Sequence, residues 1–360
     1  MNKKALIAMS GGVDSSVAAY LMKEKGFECI GATMKLYDNE DVGLSRSNTC
    51  CSLDDINDAR NIAFSLGMPY YVFNFTDAFK EEVIGRFIDD YEHGRTPNPC
   101  IACNRYMKFE KLYHRMLEME FDYVVTGHYA RIRQDEAGRF HLYKAVDASK
   151  DQSYVLYSLT QEQLVHTYFP LGEFTKDQVR AIAQEHGFIN ARKHDSQDIC
   201  FVVNGTYAEF IERYTGKTYP PGPFIGPDGT VAGEHKGIIR YTIGQRKGLG
   251  LAFGEPVYVT EVDPESNTVR LGSNEDLFTT TLEADSVNLI PFDHLPGSMR
   301  LTASIRYQAV PKPATVTETP EGRLRLVFDT PQRAITLGQA VVLYDGDEVI
   351  GGGTICKKEV

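Results

Sequence analysis

The N-terminal region of this 360-residue sequence has no apolar stretch of the length of a secretory signal or a membrane span. We therefore predict a cytoplasmic protein with no membrane partner. The cysteine count of seven is odd, and without a secretory signal it argues against a disulfide framework. The cysteines are better interpreted as thiols, some of which take part in chemistry.

The sequence also has fewer basic than acidic residues: 38 Lys and Arg and 49 Asp and Glu give a formal net charge of −11 at pH 7. If that negative charge were spread evenly over the surface, it would disfavour the binding of nucleic acid, because such binding requires a basic protein face. Two local clusters could supply such a face, although a cluster of this kind is more typical of a solvated surface. The first contains Arg95, Arg105, Lys108, Lys111 and Arg115, and the second contains His235, Lys236, Arg240, Arg246 and Lys247. Composition leaves nucleic-acid binding open.

Neither the complete Walker pattern GxxxxGK[ST] nor the dinucleotide pattern GxGxxG occurs in the chain. The candidate phosphate loop is instead SGGVDSS at 10–16, between an apolar strand-like run at 5–9 and a helical pattern. That order brings backbone N–H groups and the positive end of a helix dipole to one point, which favours phosphate. Gly11 and Gly12 let an anion approach closely, and the neighbouring serines (10, 15 and 16) offer hydroxyl donors.

Asp14 is unusual in an anion site, because its carboxylate repels phosphate unless a cation lies between them. We interpret Asp14 as a partner of Mg²⁺ on a nucleotide. The alternative is an ordinary strand-to-helix turn with an acidic first helical turn. SGGVDSS resembles the pyrophosphatase-type loop of enzymes that cleave ATP into AMP and pyrophosphate and so adenylate a carbonyl oxygen.

Strand and helix patterns alternate along the first half of the chain, which predicts an α/β fold with a doubly wound parallel sheet. After the opening unit, strands are predicted at 28–36, 70–75 and 123–126, and helices at 54–66, 78–91 and 108–119. The loop at 10–14 and the residues 126–128 would then share one rim of the sheet. A capping-box pattern at 175–178 predicts a short helix that ends at Gly187.

The second half changes character. The Pro- and Gly-rich stretch that begins at Tyr219 is interpreted as a linker or a small irregular module. Beyond about residue 285, short β runs separated by Pro and Gly turns, such as 302–307, 323–328 and 341–344, predict a small all-β barrel.

Cys100 and Cys103 form a CxxC pair within TPNPCIACN at 96–104. Two prolines stiffen an extended loop that delivers the pair to the start of a helix. A helix N-terminus and basic neighbours such as Arg105 and Lys108 lower the pKa of a thiol, so Cys103 is predicted to be a thiolate.

Cys200, within DSQDICF at 195–201, is the third candidate. Cys29 and Cys356 lie in apolar strand-like runs and are predicted to be packing thiols, and the pair at 50–51 is interpreted as structural. Structural zinc needs four Cys or His ligands, and no clear fourth ligand is spaced for it. Two interpretations stay open: an iron–sulfur cluster with one open iron, or a persulfide on one cysteine that another resolves as a disulfide.

A series of motifs in order along the chain resembles the bacterial tRNA-specific 2-thiouridylase family over essentially its full length. The motifs are SGGVDSS (10–16), NPCIACN (98–104), TGHYAR (126–131), KDQSY (150–154), DSQDICF (195–201), GEHKGIIRYTIGQRKGLG (233–250), IRYQ (305–308) and GQAVVLY (338–344). The resemblance implies a catalytic domain at 1–165 plus about 189–206, a small central tRNA-binding domain at 166–188 plus about 207–284, and a C-terminal β-barrel at 285–360.

The resemblance also implies roles for residues. Cys200 would carry the sulfur as a persulfide, and Cys103 would be the nucleophile that releases it and forms a transient disulfide with Cys200. ATP would be bound by Ala8, Met9, Ser10, Gly11, Gly12, Val13, Asp14, Ser15, Met34 and Gly127. Asn98, Pro99 and Cys100 would border the target base, and tRNA would be contacted by His128, Lys150, Asp151, Gln152, Arg306, Tyr307 and Gln339.

The sequence is thus interpreted as an enzyme that uses ATP and Mg²⁺ to thiolate C2 of the wobble uridine of tRNA. The family implies glutamine, glutamate and lysine tRNAs, with sulfur supplied by a cysteine desulfurase or a sulfur-carrier protein. Some members have Asp where this chain has Cys100, so the role of Cys100 is open. The alternatives are an iron–sulfur thiolase that uses Cys100, Cys103 and Cys200, another adenylating ligase with this type of loop, or a cluster- or RNA-binding module with a vestigial loop.

Overall fold

The computed structural model describes residues 3–38, 42, 53–193 and 199–359. Its α-helices are α1 (Val13–Glu24), α2 (Leu53–Ser65), α3 (Thr76–Phe79), α4 (Arg86–Glu92), α5 (Pro99–Ala102), α6 (Leu112–Glu118), α7 (Gln161–Val165), α8 (Lys176–Glu185) and α9 (Tyr207–Thr215). Two π-helical segments, Lys80–Gly85 and Cys103–Lys111, join α3 to α4 and α5 to α6. Short 3₁₀ turns lie at Ser153–Leu156, Ile238–Arg240 and Glu275–Leu277.

The strands are β1 (Lys4–Ala8), β2 (Glu28–Lys35), β3 (Tyr70–Asn74), β4 (Tyr123–Val125), β5 (Ala130–Gln134), β6 (Phe140–Lys144), β7 (Thr167–Tyr168), β8 (Gly222–Ile225), β9 (Val231–His235), β10 (Tyr258–Asp263), β11 (Thr268–Gly272), β12 (Phe278–Leu289), β13 (Met299–Ser304), β14 (Lys312–Glu318), β15 (Leu324–Arg333), β16 (Ala340–Asp345) and β17 (Glu348–Glu359). The chain forms two compact units. Unit 1 comprises Met1–Val83, Cys100–Val203 and Asp347–Ile350, and unit 2 comprises Ile84–Pro99, Asn204–Gly346 and Gly351–Val360.

Unit 1 contains a parallel sheet with the strand order β3-β2-β1-β4-β7. Its central strand is apolar because both of its faces are covered. Ala5 and Ile7 pack in a core with side chains of α1, α2 and α8, whereas Leu6 packs on the opposite face with residues of β4 and α6. This confirms the predicted doubly wound α/β sheet, and strands β2, β3 and β4 lie within one residue of their predicted ends.

The strand order reverses between β1 and β4, so the loops that follow these two strands diverge from one point at the carboxyl edge of the sheet. Such a switch point is where open α/β sheets bind their ligands. The predicted capping box is also confirmed. Thr175 accepts a hydrogen bond from the backbone N–H of Gln178, whose side chain in turn accepts from the backbone N–H of Thr175. Unit 1 is completed by the β5–β6 hairpin, whose Leu142 and Tyr143 pair with Val349 and Glu348 of β17.

Unit 2 contains a closed antiparallel barrel with the strand order β12-β15-β14-β13-β16-β17, in which the 351–359 part of β17 pairs back to β12. Leu324, Leu326 and Phe328 alternate inward along β15, as a barrel interior requires. The predicted all-β barrel is therefore confirmed.

The rest of unit 2 is built on a four-stranded sheet with the order β10-β11-β8-β9. Strand β8 (Gly222–Ile225) lies inside the Pro- and Gly-rich stretch, so that stretch is part of a sheet rather than a linker. Helices α4 and α9 also belong to this unit, and their rings Tyr91 and Tyr207 stack with centroids 4.4 Å apart.

Two expectations differ from the structure or stay untested. The helix predicted at 108–119 begins earlier, at Pro99, because proline fits the first turn of a helix, where no backbone N–H is needed. The three predicted domain boundaries stay a prediction; unit 1 contains 166–188, and unit 2 contains 84–99. None of the helices in the described residues has the length and apolarity to cross a membrane.

Replacement of Ile7 by alanine tests the central strand. The side chain of Ile7 in β1 is fully buried beneath the helices that cover this face of the sheet. The cavity left by the shorter alanine should therefore lower the free energy of unfolding of unit 1 by about 2–5 kcal/mol. Chemical denaturation measures this value. Val146→Ala is the control, because Val146 is 52% exposed and should change it by less than about 0.5 kcal/mol. Equal effects of the two substitutions would contradict the assigned core.

Candidate functional site

The loop after β1 turns sharply at Gly11, whose φ is +74°. A Cβ on Gly11 would lie 2.4 Å from the carbonyl oxygen of Asp55, so only glycine fits. Gly12 precedes α1, and no side chain of the described residues caps the helix there. The N-terminus of α1 therefore keeps the open N–H groups that an anion would take.

The serines of the loop are not equivalent. Ser15 and Ser16 are buried, and both hydroxyls donate to the carbonyl oxygen of Gly12, at 3.0 Å each. Ser10 is exposed. Of the three hydroxyls expected to face an anion, two therefore hold the loop in shape, and Ser10 is the one at the surface.

Asp14 lies in the first turn of α1 and has two partners that come from distant parts of unit 1. The Lys176 ammonium lies 2.8 Å from each of its carboxylate oxygens, and the Tyr129 hydroxyl donates to Oδ1 at 2.8 Å. Lys176 is the first residue of α8, and Tyr129 follows β4. The carboxylate thus joins three elements, and the Mg²⁺ role expected for Asp14 stays a prediction.

Gly127 lies where the loop after β4 crosses the start of α1. A Cβ at this position would lie 2.8 Å from the Asp14 carbonyl carbon and 2.8 Å from the Ser15 amide nitrogen. The loop after β1 and the loop after β4 are therefore in direct contact. This agrees with the prediction that they share one rim of the sheet. Of the other expected nucleotide-binding residues, Met9 and Val13 are buried, and Ala8 and Met34 are half-buried. Their contact with a nucleotide stays a prediction.

A second set of contacts holds the loop from the side of residues 190–193. Asn190, which is 3% exposed, donates from its amide nitrogen to the carbonyl oxygen of Gly11 and to the Ser16 hydroxyl, at 2.9 Å each. Lys193 donates to the same carbonyl at 3.3 Å, and its ammonium is also bonded to Asp55 and Asp58 of α2. No sequence motif indicated these residues.

The CxxC pair lies at the start of a helical stretch, as predicted. Cys100 belongs to α5 and Cys103 begins the π-helical segment Cys103–Lys111. Cys100 is exposed as a residue and Cys103 is half-buried. Burial of the Cys100 thiol raises its pKa, and the positive charge of Lys108 opposes that rise. The thiolate state expected for Cys103 stays a prediction.

His128 ties this helical stretch to the rim of the sheet. Its Nε2 lies 3.3 Å from the Lys108 ammonium, and its Nδ1 lies 2.7 Å from the Thr126 hydroxyl. Burial, followed by the charge of Lys108, holds the pKa of His128 well below its usual range. The neutral His128 ring accepts a hydrogen bond from Lys108. Lys108, which follows the two cysteines in the chain, therefore lies beside the loop after β4.

Cys200 lies in an exposed turn closed by a hydrogen bond from the Val202 N–H to the Ile199 carbonyl. The turn is anchored on both sides of the thiol. The Tyr37 hydroxyl donates to the Cys200 carbonyl at 2.9 Å, and the Phe201 ring packs against Phe79. Tyr37 follows β2, the strand that carries Met34.

The remaining cysteines agree with packing roles where they are described. Cys29 is buried in the core, which raises the pKa of its thiol to about 11, and desolvation also raises the pKa of Cys356. The pair at 50–51 lies outside the described residues, as do 195–198. Within the described part of the chain, no three His, Cys, Asp or Glu side chains are placed to hold a metal ion. Cys100, Cys103 and Cys200 therefore do not form a ligand set in this structure.

Several residues expected to contact tRNA make bonds within their own unit, and their contacts with tRNA stay predictions. The Gln152 carbonyl oxygen accepts from the Tyr129 N–H at 3.0 Å, and Asp151 accepts from the Ala145 N–H at 2.9 Å. In unit 2, Gln339 donates to the carbonyl oxygens of Thr96 and Pro97, at 2.8 and 3.2 Å.

The other expected contacts divide between the two units. Lys150, in unit 1, is half-buried. In unit 2, Arg306 and Tyr307 are exposed in the turn after β13. Of the residues expected to border the base, Asn98 is half-buried and Pro99 is buried, and both belong to unit 2. Pro99 precedes Cys100, which belongs to unit 1. Their contacts with tRNA and with the target base stay predictions.

Three family models match successive parts of the chain. They are described as the tRNA methyl transferase HUP domain (residues 3–204), the tRNA methyl transferase PRC-barrel domain (208–273) and the aminomethyltransferase beta-barrel domain (279–355).

Two curated relatives, both named tRNA-specific 2-thiouridylase MnmA, match along their whole lengths. The one from Clostridioides difficile (strain 630) is 52% identical over 358 residues, which is 99% of each chain. The one from Lachnoclostridium phytofermentans is 51% identical over 356 residues, which is 99% of this chain and 100% of the relative.

Proton NMR of the histidine rings tests the contacts of His128. We expect its ring to stay neutral as the pH falls from 8 through the usual histidine range near about 6.5, because burial and Lys108 disfavour the cation. His294 is the internal comparison: it is exposed, and Glu318 raises its pKa, so it should gain its proton at a higher pH. His128→Gln and His294→Gln assign the two signals. A His128 signal that titrates together with that of His294 would contradict this geometry.

Proposed function

Because the chain belongs to the tRNA-specific 2-thiouridylase family, we propose that it replaces O2 of the wobble uridine of tRNA by sulfur at the expense of ATP. The observation that carries the proposal is an uncapped helix N-terminus at the switch point of a parallel sheet, with a thiol-bearing helix tied to the same rim through Lys108 and His128. The first feature suits activation of an oxygen by ATP, and the second suits its replacement by sulfur.

The first step is adenylation. The uridine O2 attacks the α-phosphorus of ATP and pyrophosphate leaves, so that a poor leaving group, oxide, is converted into AMP. The N–H groups at the start of α1 and the exposed Ser10 would receive the phosphates. The crossing of Gly127 over Asp14 and Ser15 supports this role, because it fixes the first turn of α1 against the loop after β4.

The second step is sulfur transfer. The terminal sulfur of a Cys200 persulfide attacks C2 and AMP leaves, which joins Cys200 to the base through a disulfide. The Cys103 thiolate then attacks the Cys200 sulfur, which releases 2-thiouridine and leaves a Cys103–Cys200 disulfide. A thiol reductant restores both cysteines, and a cysteine desulfurase or a sulfur-carrier protein reloads Cys200.

The wobble base is unpaired in its anticodon loop, so moving it into a pocket costs less than flipping it from a duplex. Asn98, Pro99 and Cys100 are the residues proposed to border it, and glutamine, glutamate and lysine tRNAs are the proposed substrates. We propose that the tRNA body is contacted by His128, Lys150, Asp151, Gln152, Arg306, Tyr307 and Gln339. For His128, Asp151, Gln152 and Gln339, the internal bonds support a role in shaping the contact surface.

Mg²⁺ bound to ATP would neutralise the phosphates and assist the departure of pyrophosphate. A carboxylate has about four acceptor positions, and Asp14 fills three of them with Lys176 and Tyr129. Asp14 could thus offer at most one further position toward the ion. The alternative of an iron–sulfur thiolase is not supported by the positions of Cys100, Cys103 and Cys200. A related ligase that uses ammonia would not need these thiols.

Alanine at Cys200 or at Cys103 should abolish formation of 2-thiouridine, because the sulfur carrier or the thiol that releases the product is lost. The assay incubates unmodified tRNA with ATP, Mg²⁺ and a persulfide source, and digested nucleosides are examined by mass spectrometry. Cys356→Ala is the matched control and should be active, since Cys356 lies in the barrel of unit 2. Cys100→Asp should also be active, because the family resemblance implies that part of the family uses Asp at this position.

Product from Cys200→Ala would show that this relay is wrong. Loss of activity in Cys100→Asp, together with iron and sulfide in anaerobically purified protein, would instead favour the cluster mechanism.

Gly127→Ala should weaken ATP binding by about tenfold or more, because the added methyl group would push the backbone of Asp14 and Ser15 away from the loop after β4. Titration calorimetry with ATP and Mg²⁺ measures the dissociation constant. Gly254→Ala is the control, since apart from its chain neighbours no atom of the described residues lies within 4 Å of its Cβ position, and its φ is not in the left-handed region. Unchanged ATP affinity in Gly127→Ala would remove this crossing from the ATP site.

A further inference from the structure

We propose that Lys176 is a positioning residue of the ATP site, which neutralises Asp14 and holds its carboxylate so that phosphate can be received at the start of α1. The inference rests on the proposed function and deepens it. Nothing in the sequence around Lys176 indicated such a role; it lies 162 positions from Asp14, just inside a helix capping box.

The geometry of the pair is that of a built contact. The Lys176 ammonium is equidistant, at 2.8 Å, from both oxygens of Asp14, and it lies 5.9 Å from the centre of the Tyr129 ring. The Tyr129 hydroxyl binds the same carboxylate. The Lys176 ammonium is therefore held both by the charge of Asp14 and by the ring of Tyr129.

The burial of Lys176 is unusual for a lysine and requires an explanation. Lys176 is only 6% exposed, although lysine is almost never fully buried unless its charge is paired. Its backbone is fixed as well, because its N–H donates to Asp147 at 2.9 Å. A cation in the first turn of a helix also opposes the helix dipole, which favours acidic side chains there. Stability of α8 by itself thus gives no reason for a lysine at this position.

Charge at the start of α1 supplies the reason. An isolated Asp14 carboxylate would repel the phosphates that the helix N-terminus attracts. Lys176 cancels that charge with a group that belongs to the protein, and its bonds leave Asp14 about one acceptor position. In the free enzyme the counter-charge of Asp14 is therefore Lys176, and the loop does not require a bound metal ion to accept an anion.

Three variants of the pair test this role by ATP binding, measured by calorimetry with and without Mg²⁺. Lys176→Met should weaken binding by about tenfold or more, because Asp14 is left with an unbalanced charge. Asp14→Asn combined with Lys176→Met should recover most of that loss, since neither charge remains. Lys176→Arg should bind ATP within a few-fold of the wild type. Lys217→Met is the control, because Lys217 forms an exposed pair with Glu92 in unit 2.

Thermal unfolding of each variant separates positioning from folding. If Lys176→Met lowers the unfolding midpoint but the folded protein keeps the ATP affinity of the wild type, the pair is structural and the inference is overturned. If the double variant binds ATP no better than Lys176→Met, neutralisation of Asp14 is not the role of Lys176. Failure of the wild type itself to bind ATP would overturn the proposed function, which distinguishes that result from the other two.

Discussion

The carboxylate of Asp14 is the contact that joins three elements of unit 1 at the switch point of its sheet. It belongs to the first turn of α1, accepts a hydrogen bond from Tyr129 in the loop after β4, and is paired with Lys176 at the start of α8. These three elements come from both sides of the switch point in the sheet. One side chain thus joins these elements next to the glycines of the loop, and in our proposal the same contact sets the charge that an incoming anion meets.

Much of the fold was predictable from local sequence pattern. Buried parallel strands are continuous apolar runs, the β15 strand alternates, and the Thr175 capping box announces its helix, so these elements carry their own signals. The loop at 10–16 was equally readable, because a strand, two glycines and a helix occur there in immediate succession. The placement of 10–14 and 126–128 on one rim followed from topology, and Gly127 against Asp14 confirms it.

The contacts that complete the site could not be predicted in the same way. Lys176, Asn190 and Tyr37 reach partners that lie 162, 179 and 163 positions away, and each has an ordinary sequence neighbourhood. The hydrogen-bond partners of polar side chains could not be predicted from the sequence either. Ser15 and Gln152 are predicted to bind ligands, and nothing in the sequence indicated that Ser15 also donates to the Gly12 carbonyl and that Gln152 also accepts from the Tyr129 N–H. Sequence shows which groups a segment carries, whereas only tertiary structure shows which of them are already in use.

The two proposed sulfur-handling cysteines are held in different ways, and the difference suits their roles. Cys103 begins a helical stretch that Asn104 fixes through its bond to the Val155 carbonyl and that Lys108 fixes to His128, so its position is set by contacts within unit 1. Cys200 lies in an exposed turn anchored through its own carbonyl and the neighbouring Phe201 ring. A nucleophile benefits from fixed aim, whereas a carrier has to meet both its donor and its acceptor. Anchoring the backbone of the carrier while its residue stays exposed satisfies both requirements.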